Sequence, residues 1–294
     1  MSDQLPRHLW WVLVGITLVW GFNWTAMKVA ISEVAPLTFR TFCLAAGSGV
    51  LFAVLKASGQ PLAIPRSEWR RLALIALFSI TCWNLLVVFG LRQIPSGRAA
   101  ILAYTMPAWA IPLSVWFLGE RLSARKLVSL GLGMAGMALL LVQEFTTLAG
   151  APLGALMVLG AACAWAIGTL LQKKFPVRAP VAPLTAWMML IGGLPIYVGA
   201  LLFDDWRALG EVGLWPGLAV AYNVFLSFAW AHWAWIKLAT SVSVSTFSLS
   251  MLMTPVVGVF SGMLFLGERP GWIEFGALLL VLACLATVLI PPRR

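Results

Sequence analysis

Apolar residues run through this chain in long unbroken stretches, separated by short segments that hold most of its charges. The runs are continuous rather than alternating, which argues against a membrane barrel. A helix that crosses a bilayer needs about 20 mostly apolar residues. Ten stretches meet this: 9–30, 36–56, 70–91, 96–118, 125–143, 152–172, 182–203, 214–236, 242–266 and 272–291. The pattern predicts an all-α integral membrane protein of ten transmembrane helices, with no room left for a soluble domain. The first run is read as a retained helix, since no small-residue cleavage site closely follows it.

The chain also repeats itself. Phe117-Leu118-Gly119-Glu120-Arg121 recurs as Phe265-Leu266-Gly267-Glu268-Arg269, and at the same offset Pro107 matches Pro255. Ala35-Pro36-Leu37-Thr38 recurs as Ala182-Pro183-Leu184-Thr185, and Trp20 and Lys28 match Trp165 and Lys173. The offsets are nearly equal, so the chain divides into residues 1–147 and 148–294 with five spans in each. Five is odd, so the second half enters the membrane from the opposite side. Two inverted-topology five-helix repeats of this kind place a substrate near the midplane, between the halves.

Composition supports lipid as the solvent. Hydrophobic residues are 61% of the chain and charged residues 10%, against about 45–50% and 25% in soluble domains. The net charge of +10 does not point to nucleic acid, because Lys and Arg sit in short loops rather than on one face. They set orientation instead. With the N-terminus inside, Arg7, Lys56, Arg66, Arg70, Arg71, Arg121, Arg125, Lys126, Lys173, Lys174, Arg178, Lys237, Arg293 and Arg294 are cytoplasmic. Lys28, Arg92, Arg98, Arg207 and Arg269 are outside. This excess places both termini in the cytoplasm. Cys43, Cys82, Cys163 and Cys284 lie singly inside apolar runs, as small buried residues, and nothing calls for a disulfide, a metal or a cofactor.

The five-plus-five arrangement, with a proline in the fourth and ninth spans and a Leu-Gly-Glu-Arg close, resembles the EamA-type branch of the drug/metabolite transporter superfamily. The resemblance covers essentially the whole chain. Length and tryptophan richness are similar to YddG-type exporters of aromatic amino acids. The resemblance implies a ten-helix bacterial inner-membrane exporter whose central cavity is lined by spans one, three, four, six, eight and nine.

The ten acids, Asp3, Glu33, Glu68, Glu120, Glu144, Asp204, Asp205, Glu211, Glu268 and Glu274, all fall at span ends or in loops. An intramembrane carboxylate marks a proton or cation relay, and none lies near the midplane here. Small multidrug-resistance proteins, relatives in the superfamily, depend on a Glu in the first span, where this chain has Asn23. With no Ser-His-Asp set, a hydrolase is also disfavoured and no catalytic residue is assigned. Lys28, Arg40 and His232 lie one or two turns from span ends, where snorkelling or a helix-end contact is the expected role.

The depth of the chain is aromatic and amide instead. Trp20, Asn23 and Trp24 share one face of span one; Trp165, Thr169 and Gln172 share one of span six; Asn223, Ser227 and Trp230 share one of span eight. Asn84 lies mid-way along span three and Tyr104 along span four, and Ser241, Ser245 and Ser248 form a polar face on span nine. The candidate substrate residues are therefore Trp20, Asn23, Trp24, Asn84, Tyr104, Trp165, Asn223 and Ser248. Helix-to-helix glue is the competing role for the Asn and Ser residues. Pro107 and Pro255 each remove a backbone donor and are candidates for a kink or hinge, with Thr105 and Thr254 near the freed carbonyls.

Such walls suit a small amphipathic metabolite, best an amino acid with an aromatic or large apolar side chain. The expected partners are that small molecule and the bilayer, with no nucleic acid and no need for more than a monomer. The other readings are a broad-specificity efflux carrier for neutral amphiphiles and a non-transporting membrane protein such as a lipid scramblase or an assembly subunit.

Overall fold

The structure is a computed structural model that describes residues 7–119, 123–146, 151–231, 234 and 244–289. Its described residues form ten helical spans and no strand. They are α1 (Arg7–Ala30), α2 (Pro36–Ala57), α3 (Arg66–Gln93), α4 (Ser96–Leu118) and α5 (Ala124–Thr146) in the first half. In the second half they are α6 (Pro152–Lys174), α7 (Val181–Phe203), α8 (Leu214–Trp230), α9 (Val244–Leu266) and α10 (Trp272–Leu289). The first seven are long and apolar enough to cross a membrane, and the described parts of the last three are shorter apolar helices. Exposed Trp11, Leu201, Phe203, Leu264 and Trp272 on the outer faces are what a lipid-solvated protein presents.

Helix ends obey local rules. Pro36 and Pro152 open α2 and α6 in the first turn, where the missing N–H has no partner to lose. Gly119 and Gly267, the glycines of the repeated motif, end α4 and α9 with φ of +64° and +66°. That left-handed conformation suits glycine alone, and the Gly119 amide folds back onto the Val115 carbonyl at 3.1 Å.

Packing mostly joins one half to the other. α1 lies against α9 and α8, α6 against α4 and α3, α2 against α7 and α8, and α5 against α10. Exchanging every helix for its counterpart five places along reproduces these pairings. Lipid gives no hydrophobic drive for helix association, so close fit of small residues has to supply it. Gly21 of α1 meets Val257 of α9, Gly90 of α3 meets Gly154 of α6, and Gly133 of α5 meets Ala108 of α4.

Acids at one end of the bundle tie these contacts down. Glu268 accepts from the Ser96 and Gly97 amides at the start of α4, at 2.5 and 2.9 Å. Asp204 accepts from the Thr38 amide and hydroxyl at 2.7 and 2.8 Å, and Glu33 from the Gly213 amide at 2.7 Å. Each carboxylate meets the positive end of another helix.

Neither α3 nor α8 is uniform. Each contains a π-helical segment, Leu77–Cys82 in α3 and Tyr222–Trp230 in α8. These fall at matching places in the two halves. The fourth span differs from a kinked continuous helix. It stops at Ala103 and restarts at Met106, so Pro107 occupies the first turn of a new helix rather than an interior position. Its partner Pro255 lies inside an unbroken α9.

A methyl or larger group at Gly21 has no space against Val257, whereas Gly49 has nothing within 4 Å. Gly21→Leu is expected to lower stability by about 1–3 kcal/mol, the scale of overpacking. Gly49→Leu should leave it within about 0.5 kcal/mol. Thermal unfolding of both variants in one detergent checks this.

Candidate functional site

Two seams between the halves carry the deep aromatic residues. The first joins α1 to α8. Trp20 Nε1 donates to the Ser227 carbonyl at 3.3 Å, Ser227 Oγ donates to Asn23 Oδ1 at 2.8 Å, and the Tyr222 hydroxyl donates to the Val19 carbonyl at 2.8 Å. Trp20 and Trp230 share a packed cluster there, with Trp230 seated over Gly15. The Trp20 indole, the Ser227 hydroxyl, the Asn23 carbonyl oxygen and the Tyr222 hydroxyl each have a partner inside the protein.

The second seam joins α6 to α3 and holds the counterparts of the same residues. Trp165 corresponds to Trp20, and Trp83 to Trp230. The two rings lie 5.0 Å apart, tilted by 59°. Trp165 is 39% exposed. Thr169 and Gln172, one and two turns along the same face, are exposed as well. Where the first seam has Asn23 bonded to Ser227, the second has Gly168 pressed against Ser79. The first seam is joined by hydrogen bonds and the second by close packing of Gly90 on Gly154 and Gly168 on Ser79, with Trp165, Thr169 and Gln172 on an exposed face of α6 beside it.

The remaining predicted residues go elsewhere. Trp24 is 5% exposed in the largest packed cluster and touches Gly258 of α9. Tyr104 is buried beside the break in α4, within hydrogen-bonding reach of Thr254 of α9. Thr105 uses its hydroxyl on the Leu102 carbonyl at 2.6 Å. Asn84 donates to the Ile80 carbonyl at 2.7 Å, and Asn223 to the Ala219 carbonyl at 2.9 Å. A π turn shifts the backbone ladder from i−4 to i−5, and both amides serve i−4 carbonyls at such places. The Ser248 and Ser245 side chains, Ser241, Glu120, Arg121 and His232 lie outside the described residues.

Two features of the site have no signature in the residue pattern. The π segments left no compositional trace, and only the paired mid-span amides hint at them. The Trp83–Trp165 contact needed the pairing of α3 with α6, which spacing within one helix does not show. Lys28 meets the helix-end expectation: its ammonium donates to the Leu91 and Ile94 carbonyls at the end of α3. Arg40 does not, because it is 2% exposed and bonds no helix-end carbonyl.

The sequence pattern of the EamA-like transporter family matches twice, over residues 9–142 and 152–290. The chain belongs to this family. An EamA-like transporter is a membrane protein with a small-molecule substrate, set in lipid, and the ten helical spans here have that form. The chain is 26% identical over 263 residues to the uncharacterized transporter YoaV of Bacillus subtilis, covering 87% of this chain and 88% of that one. It is 26% identical over 276 residues to a protein of Escherichia coli named "Probable amino-acid metabolite efflux pump", covering 90% of each. A solved crystal structure shares the fold with a TM-score of 0.66 at 20% identity, across 97% of both chains.

The seams predict unequal costs. Trp20→Ala strips a buried-end hydrogen bond and packed area from α1 and α8, and should lower stability by about 1–3 kcal/mol. Trp165→Ala removes a ring already wet on one side and should cost less than about 1 kcal/mol. Parallel thermal denaturation of the two purified variants decides; an equal loss would mean that Trp165 is packed core.

Proposed function

We propose that this transporter exports small amphipathic metabolites, and that amino acids with aromatic or large apolar side chains are the class it fits best. The observation that carries the reading is the exposed face of α6. Trp165 leans on Trp83, and Thr169 and Gln172 follow on the same face. The Thr169 hydroxyl donates to the Trp165 carbonyl at 2.9 Å, and the Gln172 amide lies near the end of α6 beside Lys173 and Lys174, so this face grades from an indole at depth to polar groups at the membrane surface. An indole pair on such a face offers a ring-sized apolar wall. The Escherichia coli relative named for amino-acid metabolite efflux supports the substrate class.

Alternating access follows as the proposed mechanism. The 1–147 and 148–294 halves act as inverted repeats, and the α1/α8 and α6/α3 seams are the two gates. Opening one gate while the other stays shut moves the bound molecule across. We place both termini in the cytoplasm, on the charge distribution, which puts the Glu33, Asp204 and Glu268 end outside. Gly210 has open space around it, so Gly210→Cys on a Cys-free background should fold normally. An impermeant maleimide added to intact cells should label it; labelling only after lysis would reverse the orientation.

With no acid at mid-depth, transport is expected to run down the substrate's own gradient without an imposed pH difference. Purified protein in liposomes preloaded with unlabelled phenylalanine should take up labelled phenylalanine by counterflow at equal internal and external pH. Trp165→Ala should slow phenylalanine by up to about tenfold, the scale of a lost stacking contact, and alanine by much less. No counterflow for any amino acid would end the substrate proposal. Equal loss for both substrates would end the role of Trp165.

A further inference from the structure

Arg40 sits one turn into α2 and is 2% exposed. A charged side chain buried at membrane depth pairs with an acid or with backbone carbonyls, or lines a functional path. Arg40 does neither of the first two. Its guanidinium donates to the Met27 thioether at 2.9 Å and lies 5.2 Å from the centre of the neighbouring Phe39 ring. A thioether is a weak acceptor, and Nε has no partner at all. Asp204, which meets the start of α2, spends Oδ2 on Thr38. Among the described residues no carboxylate forms an ion pair with Arg40.

The fold does not demand this charge. The counterpart of Arg40 in the second repeat is Trp187. Its indole simply donates to the Leu62 carbonyl at 2.7 Å. A charge that one half carries and the other omits is chemistry added to the scaffold.

A second orphan lies on the adjoining helix. Asn223 of α8 is 0% exposed, and its Oδ1 has no hydrogen bond. α2 and α8 start at the same end of the bundle, where Glu33 accepts from Gly213. Deeper in, they press together, with Gly47 against Phe228. Spans two and eight therefore hold a buried cation without an anion and a buried acceptor without a donor. Leaving such groups unmet is costly. A zwitterion brings both missing pieces.

We propose that Arg40 recognises the carboxylate of the transported metabolite, with Asn223 Oδ1 accepting from its ammonium group. This deepens the amino-acid reading above and rests on it. Arg40 then discriminates substrates by head group.

The test compares phenylalanine with phenylalaninamide, which keeps the ring and the ammonium but lacks the carboxylate. Counterflow is measured in phosphatidylcholine liposomes, so that no anionic lipid head group can serve Arg40. Wild-type protein should prefer the acid by about ten- to hundredfold, the scale of one charge-assisted hydrogen bond. Arg40→Gln should lose that preference, with amide transport retained and the acid slowed, and Arg40→Lys should recover part of it. If the wild type carries both compounds equally well, the inference fails whatever the variants do. If Arg40→Gln elutes as wild type on size exclusion yet keeps the preference for the acid, it also fails. If the wild type carries no amino acid, the broader substrate reading falls instead, and the two failures are distinct.

Discussion

A hydrocarbon solvent provides no hydrogen bonds, so each polar group in these spans must find its partner within the protein or face water in a cavity. That constraint explains the tying of helix ends by Glu33, Asp204 and Glu268, since exposed amides at a span start have few other acceptors nearby. It explains the use of Asn84 and Asn223 on backbone carbonyls at the π segments. It also gives the residues that break the rule their meaning. Arg40 and Asn223 keep unpaired atoms in the interior. In lipid an unmet polar atom is a cost that the rest of the fold has to offset.

The packing is symmetric and the chemistry is not. α1/α8 and α6/α3 are the same contact made twice, down to the placement of Trp20 with Trp230 and Trp165 with Trp83. Small residues allow the close approach in both. Asn23 on one side is Gly168 on the other, and Arg40 on one side is Trp187 on the other. Repeats constrained only by packing tolerate such divergence at positions that do not decide whether the helices meet. Those positions are then available to a substrate, and a substrate without two-fold symmetry needs them to differ.

Much of this was legible in the residue pattern. Ten continuous apolar runs specify helices in lipid, because no other open structure satisfies the backbone there. The glycines of the repeated motif were readable as helix ends, since only glycine takes φ near +65° without strain. The site was readable in part. Helix spacing correctly grouped Trp20 with Asn23, and Ser227 with Trp230, but Asn223 leaves that face in the π segment, and spacing says nothing about which helix lies opposite. Trp24 and Tyr104 share the depth of Trp20 and Trp165 yet are buried in packed core, because depth along an axis does not fix direction around it. Arg40 shows the same limit. A basic residue one turn from a helix end usually reaches the interface, and only the position of Met27 and Phe39 shows that this one stays inside.

Pro107 and Pro255 bring symmetry and chemistry together. Each proline denies its helix one backbone bond, so each half carries the same weak point at the same place. In this structure α4 uses it, breaking at Tyr104 and Thr105, while α9 continues unbroken. Sequence accounts for part of the difference, since α4 carries a second proline, Pro112, where α9 has Phe260; a hinge role for the pair belongs to the alternating-access proposal. The broken span packs on α6, whose seam with α3 is joined by close packing, and the unbroken span packs on α1, whose seam with α8 is hydrogen-bonded. Under the alternating-access proposal, exchanging the two conformations between α4 and α9 would exchange the roles of the two seams as well. Among the described residues the bonds that must then break include Trp20 to Ser227, Ser227 to Asn23, and Tyr222 to Val19. Each is worth about 1 kcal/mol net, so no single one of them locks the gate against a bound substrate.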